Sequence, residues 1–592
     1  MATADACLTA RSLIDGAAQG PLLFADTGLS FWGGVDPQTG EIIDRHHPLS
    51  GRYLAGQVLA IPSGRGSCTG SSVMMELISN GHAPAGLILA DPDEILTLGV
   101  MVAEYFFARS LPVVCVGHEA FALLQEQRWA RIDGPTLSLS AEPPAAPDPH
   151  EPWHALPTAP TSLSLNDHDR ALLAGEHGKA AQVAMQLVVR MAELQGATQL
   201  LDISQAHIDG CIYTGPASLR FARQLVQWGA QVRVPTTLNA ISVDQRRWRE
   251  LGIDPLLGEP ASALGDAYMA MGAQQSFTCA PYLLDSAPGF GEQVVWAESN
   301  AVVYANSVLG ARTLKYPDYL DICIALTGRA PQVGCHLSAQ RQASLHIRTR
   351  RPAAADDSFY PLLGYAIGAL CGQRIPWISG LEQATPSLDD LKAFGAAFAT
   401  TSAAPLFHLA GITPEALDPD TDCPGLAQLP LLEPDLQTLR GAWHELNSAR
   451  DLHVQMISLG NPHFSASEFA RLAALCDGRR KHPAVTLAIT CGRAVMQQAA
   501  TAGHVAVLER FGALLVTDTC WCMLGEPVIP PGARSLMTNS GKFAHYAPGL
   551  VGRSVHFASL AECVDSACTA TVSGLCPAWL EPADAMGETA HV

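Results

Sequence analysis

At 592 residues the chain is longer than one hydrophobic core usually fills, and with 48% apolar and 16% charged residues it reads as a multidomain globular protein with large buried surfaces. Its 36 Lys and Arg against 56 Asp and Glu leave a net charge of −20, which argues against nucleic acid or an anionic membrane surface as partner. There is no signal-like apolar core at the start and no run of about 18 apolar residues, so a cytoplasmic protein is expected, with its 16 scattered cysteines mostly buried thiols and a few ligands or nucleophiles.

In chain order, residues 20–138 alternate short strands and turns ("GRYLAGQVLAIP", "AGLILADPD", "LPVVCVG") with helical pieces at 72–80 and 98–109, a small α/β domain. Within it lies "SGRGSCTGSSVMMEL", residues 63–77. Glycines let backbone amides approach a ligand, and the first amides of the following helix carry partial positive charge. Ser67, among those amides and beside Arg65, has a stabilised alkoxide and the makings of a base. The plainer reading is a strand-to-helix turn with ordinary caps. No Gly-Lys-Ser/Thr follows, so the turn is not a P-loop. The proline- and alanine-rich stretch "SAEPPAAPDPHEPWHALPTAPTS" marks a linker. The expected boundaries are a small domain over 1–139, a linker over 140–165, a large α/β region over 166–575 and a peripheral tail over 576–592.

The large region opens on an amphipathic helix capped by Asn166 or Asp167. Buried strands follow in "TQLLDISQAHI", "AQVRVPTTLN", "DLHVQMISLG", "AVTLAIT" and "GALLVTDT". Open α/β sheets bind ligands beyond the carboxyl ends of their strands, so the residues just after each one are the candidates. After the first come His207, Asp209 and Cys211; their composition suits a metal, but alternation sends side chains to opposite faces and a metal-free turn is the simpler reading. Gly210 allows close backbone approach. After the second, Thr236, Thr237, Asn239, Ser242 and Asp244 form either a capping loop or a polar substrate site.

Between 277 and 321, Cys279, Glu298, Ser299, Asn300, Asn306, Ser307 and Arg312 punctuate an apolar helical pattern. Burying so many polar groups is costly unless they serve one another or a ligand. Cys520 and Cys522 end the last of these strands, as thiolate ligands for an iron–sulfur cluster or zinc, or as buried free thiols. Downstream, Thr538, Asn539, Ser540 and Lys542 form a candidate carboxylate clamp, with His545 and Tyr546 read as packing residues.

The motifs "HIDGC", "PTTLN", "TCAPY", "WAESNAVVYANSVLGART", "VTDTC" and "TNSGKFAHY", in this order, resemble the aconitase X family, and the resemblance spans nearly the whole chain. It implies an aconitase-like α/β fold: a small swivelling domain, a separate subunit in two-chain members, fused ahead of a large multi-segment catalytic region. It further implies a dehydratase with an iron–sulfur Lewis acid, Ser67 as base, and Cys279 and Cys520 as cluster ligands. Where the two-chain branch, which acts on a phosphorylated mevalonate, has a third cysteine in a "GCPH"-like segment, this chain reads "GNPHF" and places Asn461. Cys522 is then the expected replacement, with Cys491 as second choice, and a [2Fe-2S] cluster is expected.

The fusion and Asn461 resemble the single-chain branch, which implies dehydration of a small hydroxylated amino acid, cis-3-hydroxy-L-proline, with no separate small subunit. On that basis Arg65, Asp209, Gly210, Cys211, Asn239, Ser242, Asp244, Asn539, Ser540 and Lys542 are the expected substrate contacts, with Lys542, Ser540 and Asn539 on the carboxylate and Asp244 or Asp209 on the ring ammonium. Closure of the small domain would assemble the site and exclude water. The alternatives are mevalonate 5-phosphate dehydration and a non-catalytic iron–sulfur or redox protein.

Overall fold

The structure is a computed structural model and describes residues 6–45, 47–143 and 162–581. Residues 144–161 of the expected linker and 582–592 of the expected tail lie outside the described residues.

The N-terminal domain is built on four parallel strands, Ala17–Phe24, Val58–Ile61, Gly86–Leu89 and Val113–Cys115. Antiparallel strands extend both edges into an eight-stranded sheet. Sequences such as "VLAI" and "GLIL" are apolar throughout because both faces are covered. Leu59, Ile61, Leu87 and Leu89 pack toward the helices Gly70–Asn80 and Glu94–Phe107, while Val58, Ala60, Ile88 and Val114 meet Phe121, Leu124, Ile132 and Leu137 on the other face. The second helix starts four residues before the expected 98 because Asp93 caps it, its side chain accepting from Leu96 N at 2.7 Å.

The helical face of this sheet does not end at a domain surface. Met74 and Leu77 share one continuous core with Leu187, Phe221 and Tyr319 of the following region. Phe106 meets Phe221 at 4.5 Å between ring centroids, and the buried Glu76 carboxylate accepts from Ala217 N at 2.8 Å.

The large region holds three parallel sheets. The first has Gln205–Ile208 between Thr236–Leu238 and Val294–Trp296. The second has Leu345–Arg348 and Pro376–Ser379 at its centre. The third runs Leu514–Thr517, Thr486–Cys491, Met456–Leu459, Ser535–Thr538, Ser554–Phe557. The helix Asp167–Ala174 that opens the region is capped by Asn166, with Asp169 returning the bond.

The end of the described chain differs from the expected peripheral tail. Trp579 and Leu580 are buried, Trp579 standing edge-on to Phe359 at 5.6 Å and Arg440 donating to the Leu580 carbonyl at 2.6 Å. The apolar pair, too short to show a period, is held by a surface that only the folded second and third sheets provide. Among the described residues no helix is long and apolar enough to cross a membrane.

Candidate active site

Strand ends of the first and third sheets point into one pocket, and the small domain covers it. Ser67, Thr69 and Trp32 line it from the small domain, Asn239, Cys279 and Glu298 from the first sheet's loops, and Cys520, Cys522, Lys542 and Tyr546 from the third. Ile212, Ser299 and Met523 complete the lining.

Ser67 stands just before the helix Gly70–Asn80, at the end whose partial positive charge favours an oxyanion. Thr69 N donates to Ser67 Oγ at 3.3 Å, and Ser67 Oγ donates to Thr69 Oγ1 at 3.1 Å. The glycines of the turn have separate reasons. A Cβ on Gly64 would lie 2.6 Å from Asp93 Oδ2, the acceptor of its own N–H, and Gly66 has φ +87° with Ser30 Oγ 2.8 Å from where a Cβ would sit. Arg65 departs from its expected role: its half-exposed side chain pairs with Asp44 at 2.8 Å and does not line the pocket.

Opposite Ser67, Cys279, Cys520 and Cys522 gather around Ala240. Asn461 donates through Nδ2 to Cys520 Sγ at 3.1 Å and Cys522 Sγ at 3.4 Å, and His463 N donates to Cys279 Sγ at 3.3 Å. As thiols, Cys520 is pushed well up by hydrogen bonding to Cys279 and Cys522 by hydrogen bonding to Cys520. Soft sulfur donors facing one another, with amide groups aimed at the sulfurs, fit an iron–sulfur cluster. Among the described residues no three His, Cys, Asp or Glu side chains are disposed to chelate a single ion, and a cluster does not require it, since its ligands bind different irons. Cys491 is buried in its strand and does not line the pocket.

The same pocket holds a buried ion pair. Lys542 Nζ donates to Glu298 Oε1 at 2.6 Å, and Asn300 Nδ2 donates to the same oxygen at 2.7 Å. Burial alone would lower Lys542, but the charge of Glu298 and then of the cysteines holds it well up; burial would raise Glu298, and Lys542 holds it down. Asn239 Nδ2 donates to Glu298 Oε2 and, more closely, to Asp209 Oδ1.

Several expected contacts take other work. Asp244 accepts from Arg246 N, Arg247 N and Thr517 N, closing a loop instead of meeting a substrate ammonium. Ser242 Oγ accepts from Tyr213 N at 2.9 Å. The Cys211 thiol donates to the Ile208 and Asn239 carbonyls, His207 bonds Thr237 and Asp209 meets Asn239, so the three side chains turn to separate partners. Gly210 N donates to Asp321 Oδ2 at 3.2 Å, and a Cβ there would meet Tyr319 N at 3.2 Å, so its closeness serves packing. Asn539 and Ser540 face a separate small cavity beside Asn461, and Ser540 Oγ caps its helix by accepting from Phe543 N. Asp209 stands behind Asn239, one shell from the pocket.

Trp32, Ile212 and Met523 were not visible as site residues because nothing local distinguishes them; Thr69 lay in the glycine-rich turn and Glu298 and Ser299 inside the unusually polar stretch after 277, which were the available signals. Tyr546, read as packing, is at the pocket wall.

A serine on a small covering domain, facing thiols and an ion pair at the ends of parallel strands, defines an aconitase-like dehydratase. Family models agree along the chain: Aconitase X swivel domain over residues 7–140, first domain over 162–339, second over 342–440 and third over 454–569. The chain belongs to the aconitase X family, whose aconitase-like relatives generally use an iron–sulfur cluster. It is 60% identical over 572 residues to a cis-3-hydroxy-L-proline dehydratase of Pseudomonas aeruginosa, covering 96% of this chain and 98% of the relative. It is 54% identical to one of Hypocrea jecorina, covering 94% of each. The large subunit of phosphomevalonate dehydratase from Methanothermobacter thermautotrophicus is 35% identical over 66% of this chain and 94% of its own length. The solved structure of Thermococcus kodakaraensis aconitase X in its holo-form superposes with a TM-score of 0.61 at 30% identity, covering 68% of this chain and all of that one.

Proposed function

We propose that the protein is a cis-3-hydroxy-L-proline dehydratase, a carbon–oxygen lyase working as one chain in a reducing cytoplasm, where its sixteen cysteines stay out of disulfides. The observation that carries the reading is the placement of Ser67, the Lys542–Glu298 pair and the three thiols around one pocket.

The substrate is a zwitterion. A pocket that already holds an ammonium and a carboxylate in contact accepts one without a change of net charge: the substrate carboxylate turns to Lys542 and its ring ammonium to Glu298. Trp32, Ile212, Met523 and Tyr546 supply apolar surface for the ring. Ser67 Oγ, which accepts from Thr69 N at 3.3 Å, takes the C2 proton. Cys279, Cys520 and Cys522 would hold a [2Fe-2S] cluster, which when bound supplies a Lewis acid for the C3 hydroxyl as it leaves. The enamine formed tautomerises to Δ1-pyrroline-2-carboxylate. The small domain over 1–139 and the large region over 166–575 each supply one half of this machinery.

A phosphorylated substrate is less well served: Lys542 is the one cation among the described lining residues, and it is already paired. The test is anaerobic, iron-loaded protein incubated with cis-3-hydroxy-L-proline while imine formation is followed. Imine produced by iron-loaded and not by iron-free protein is the expected result; a loaded protein that dehydrates phosphomevalonate and leaves hydroxyproline untouched would refute the reading.

A further inference from the structure

A serine hydroxyl is neutral in water near neutral pH, so Ser67 can take a proton from carbon only if its own proton moves on as the new bond forms. The structure provides a direction. Ser67 Oγ donates to Thr69 Oγ1 at 3.1 Å, which leaves the Thr69 hydroxyl hydrogen available to point onward.

Asp318 stands on that side. Its N–H donates to Cys68 O at 3.4 Å and its carbonyl accepts from Ser71 Oγ at 3.2 Å, so it is tied to the turn that carries the base. Asp318 Oδ2 accepts from Ser72 Oγ at 3.0 Å, and the Thr69 hydroxyl faces the same carboxyl. Asp318 is 0% exposed, yet Oδ1 has no hydrogen-bond partner. Asp209, 1% exposed, likewise leaves Oδ2 without a partner while Asn239 holds its other oxygen. Two orphaned carboxyl oxygens behind one serine are costly to bury, and a structural role is already filled by their bonded oxygens.

We propose that Asp318, reached through the Thr69 hydroxyl, is the proton acceptor of Ser67, with Asp209 sharing the buried charge. The inference rests on Ser67 being the base. As the C2–H bond breaks, its proton bonds to Ser67 Oγ, the Ser67 hydroxyl proton passes to Thr69 Oγ1, and the Thr69 proton passes to an Asp318 carboxylate oxygen. The C2–H electron pair becomes the C2=C3 bond, and the C3–O pair leaves with hydroxide. The proton returns by the reverse path to that hydroxide, water departs and Asp318 is ionised again. Burial first and the Asp321 charge next push the Asp318 carboxyl well up; burial, Asp318 and Glu298 do the same to Asp209. Cys68 and Tyr319 also face this group, and the charge of Lys315 acts on Cys68 against theirs. The higher proton affinity narrows the gap to serine.

The experiment compares iron-loaded S67A, D318N, T69V and T69S proteins with the wild type, reading kcat, KM, visible absorption and the isotope effect of C2-deuterated substrate. D318N and T69V should each lose about 10²–10⁴-fold in kcat with KM and absorption little changed, and T69S, which restores the hydroxyl, should recover most of it. The deuterium effect should rise in the slowed variants, since proton removal then limits turnover. If S67A is inactive while D318N and T69V keep kcat near wild type, the relay is overturned and the base stands. If S67A itself turns over normally, the base reading falls and the relay falls with it. Should D318N fail to fold, the contrast of T69V with T69S decides.

Discussion

The small domain meets the rest of the molecule along two seams of opposite character. Toward the first sheet it has no surface of its own: Met74 and Leu77 continue into a core with Leu187, Phe221 and Tyr319, pinned by Glu76 on Ala217 N and by Arg190 on Glu104 at 2.5 Å. Toward the third sheet, among the described residues no small-domain side chain joins either core of the second and third sheets; there Gly33 lies against Leu550 and the Gly66 turn near Tyr546. The dry seam holds the turn that carries Ser67, and the pocket that Ser67 lines lies beside the thin one. An apolar seam also resists opening, since separating it would expose buried side chains to water.

The largest effects should separate the pocket's two walls. Cys520→Ala should cost the protein its iron and visible absorption along with turnover. Ser67→Ala should lower kcat by about 10²–10⁴-fold with the absorption intact. Iron analysis and spectra on both variants check this, and loss of absorption in the serine variant would mean that the walls are not independent.

The seams themselves are next. Phe221→Ala, at the dry seam, should cost about 3–5 kcal/mol in urea unfolding, whereas Leu550→Ala, half-buried at the thin one, should cost about 1 kcal/mol. Equal losses would abolish the distinction.

Glu76→Ala leaves the Ala217 amide buried without its acceptor and should cost about 1–3 kcal/mol. This group also sets a pH dependence. Burial pushes the Glu76 carboxyl up, the Ala217 N–H opposing, so the folded chain binds the proton more tightly than the unfolded one. Its contribution is therefore full below the ordinary carboxylate range and is lost as pH rises through the raised folded value. Urea midpoints of the wild type and of Glu76→Gln, whose neutral side chain matches the protonated carboxyl, should lie close at the acid end of that window and diverge toward its alkaline end as the wild type loses stability, or the carboxyl is not so perturbed.

The smallest effect is expected at Arg65. Its half-exposed pair with Asp44 should be worth less than about 1 kcal/mol, and Arg65→Ala should leave kcat within a small factor of wild type. A large loss would place its charge on Ser67 after all.

By itself the sequence determined the parts that local chemistry and order specify. Apolar runs such as "VLAI" and "AVTLAIT" read as covered strands, Asn166 or Asp167 marked a helix start that Asn166 in fact caps, and six motifs in sequence order carried the family. The glycine turn made Ser67 a candidate because a backbone made to approach closely leaves its mark in residue type. Tertiary structure alone decided which polar groups at strand ends face one point. Asp244 and Asp209 look alike along the chain, yet one closes a loop on Thr517 and the other stands behind Asn239. Trp32 and Thr69 enter the pocket from a domain more than a hundred residues away from the thiols' loops, and Asp318 backs the serine turn from some 250 residues downstream. Residue type limits what a side chain can do, but its partners are set by packing across distant segments, where no local period or spacing records them.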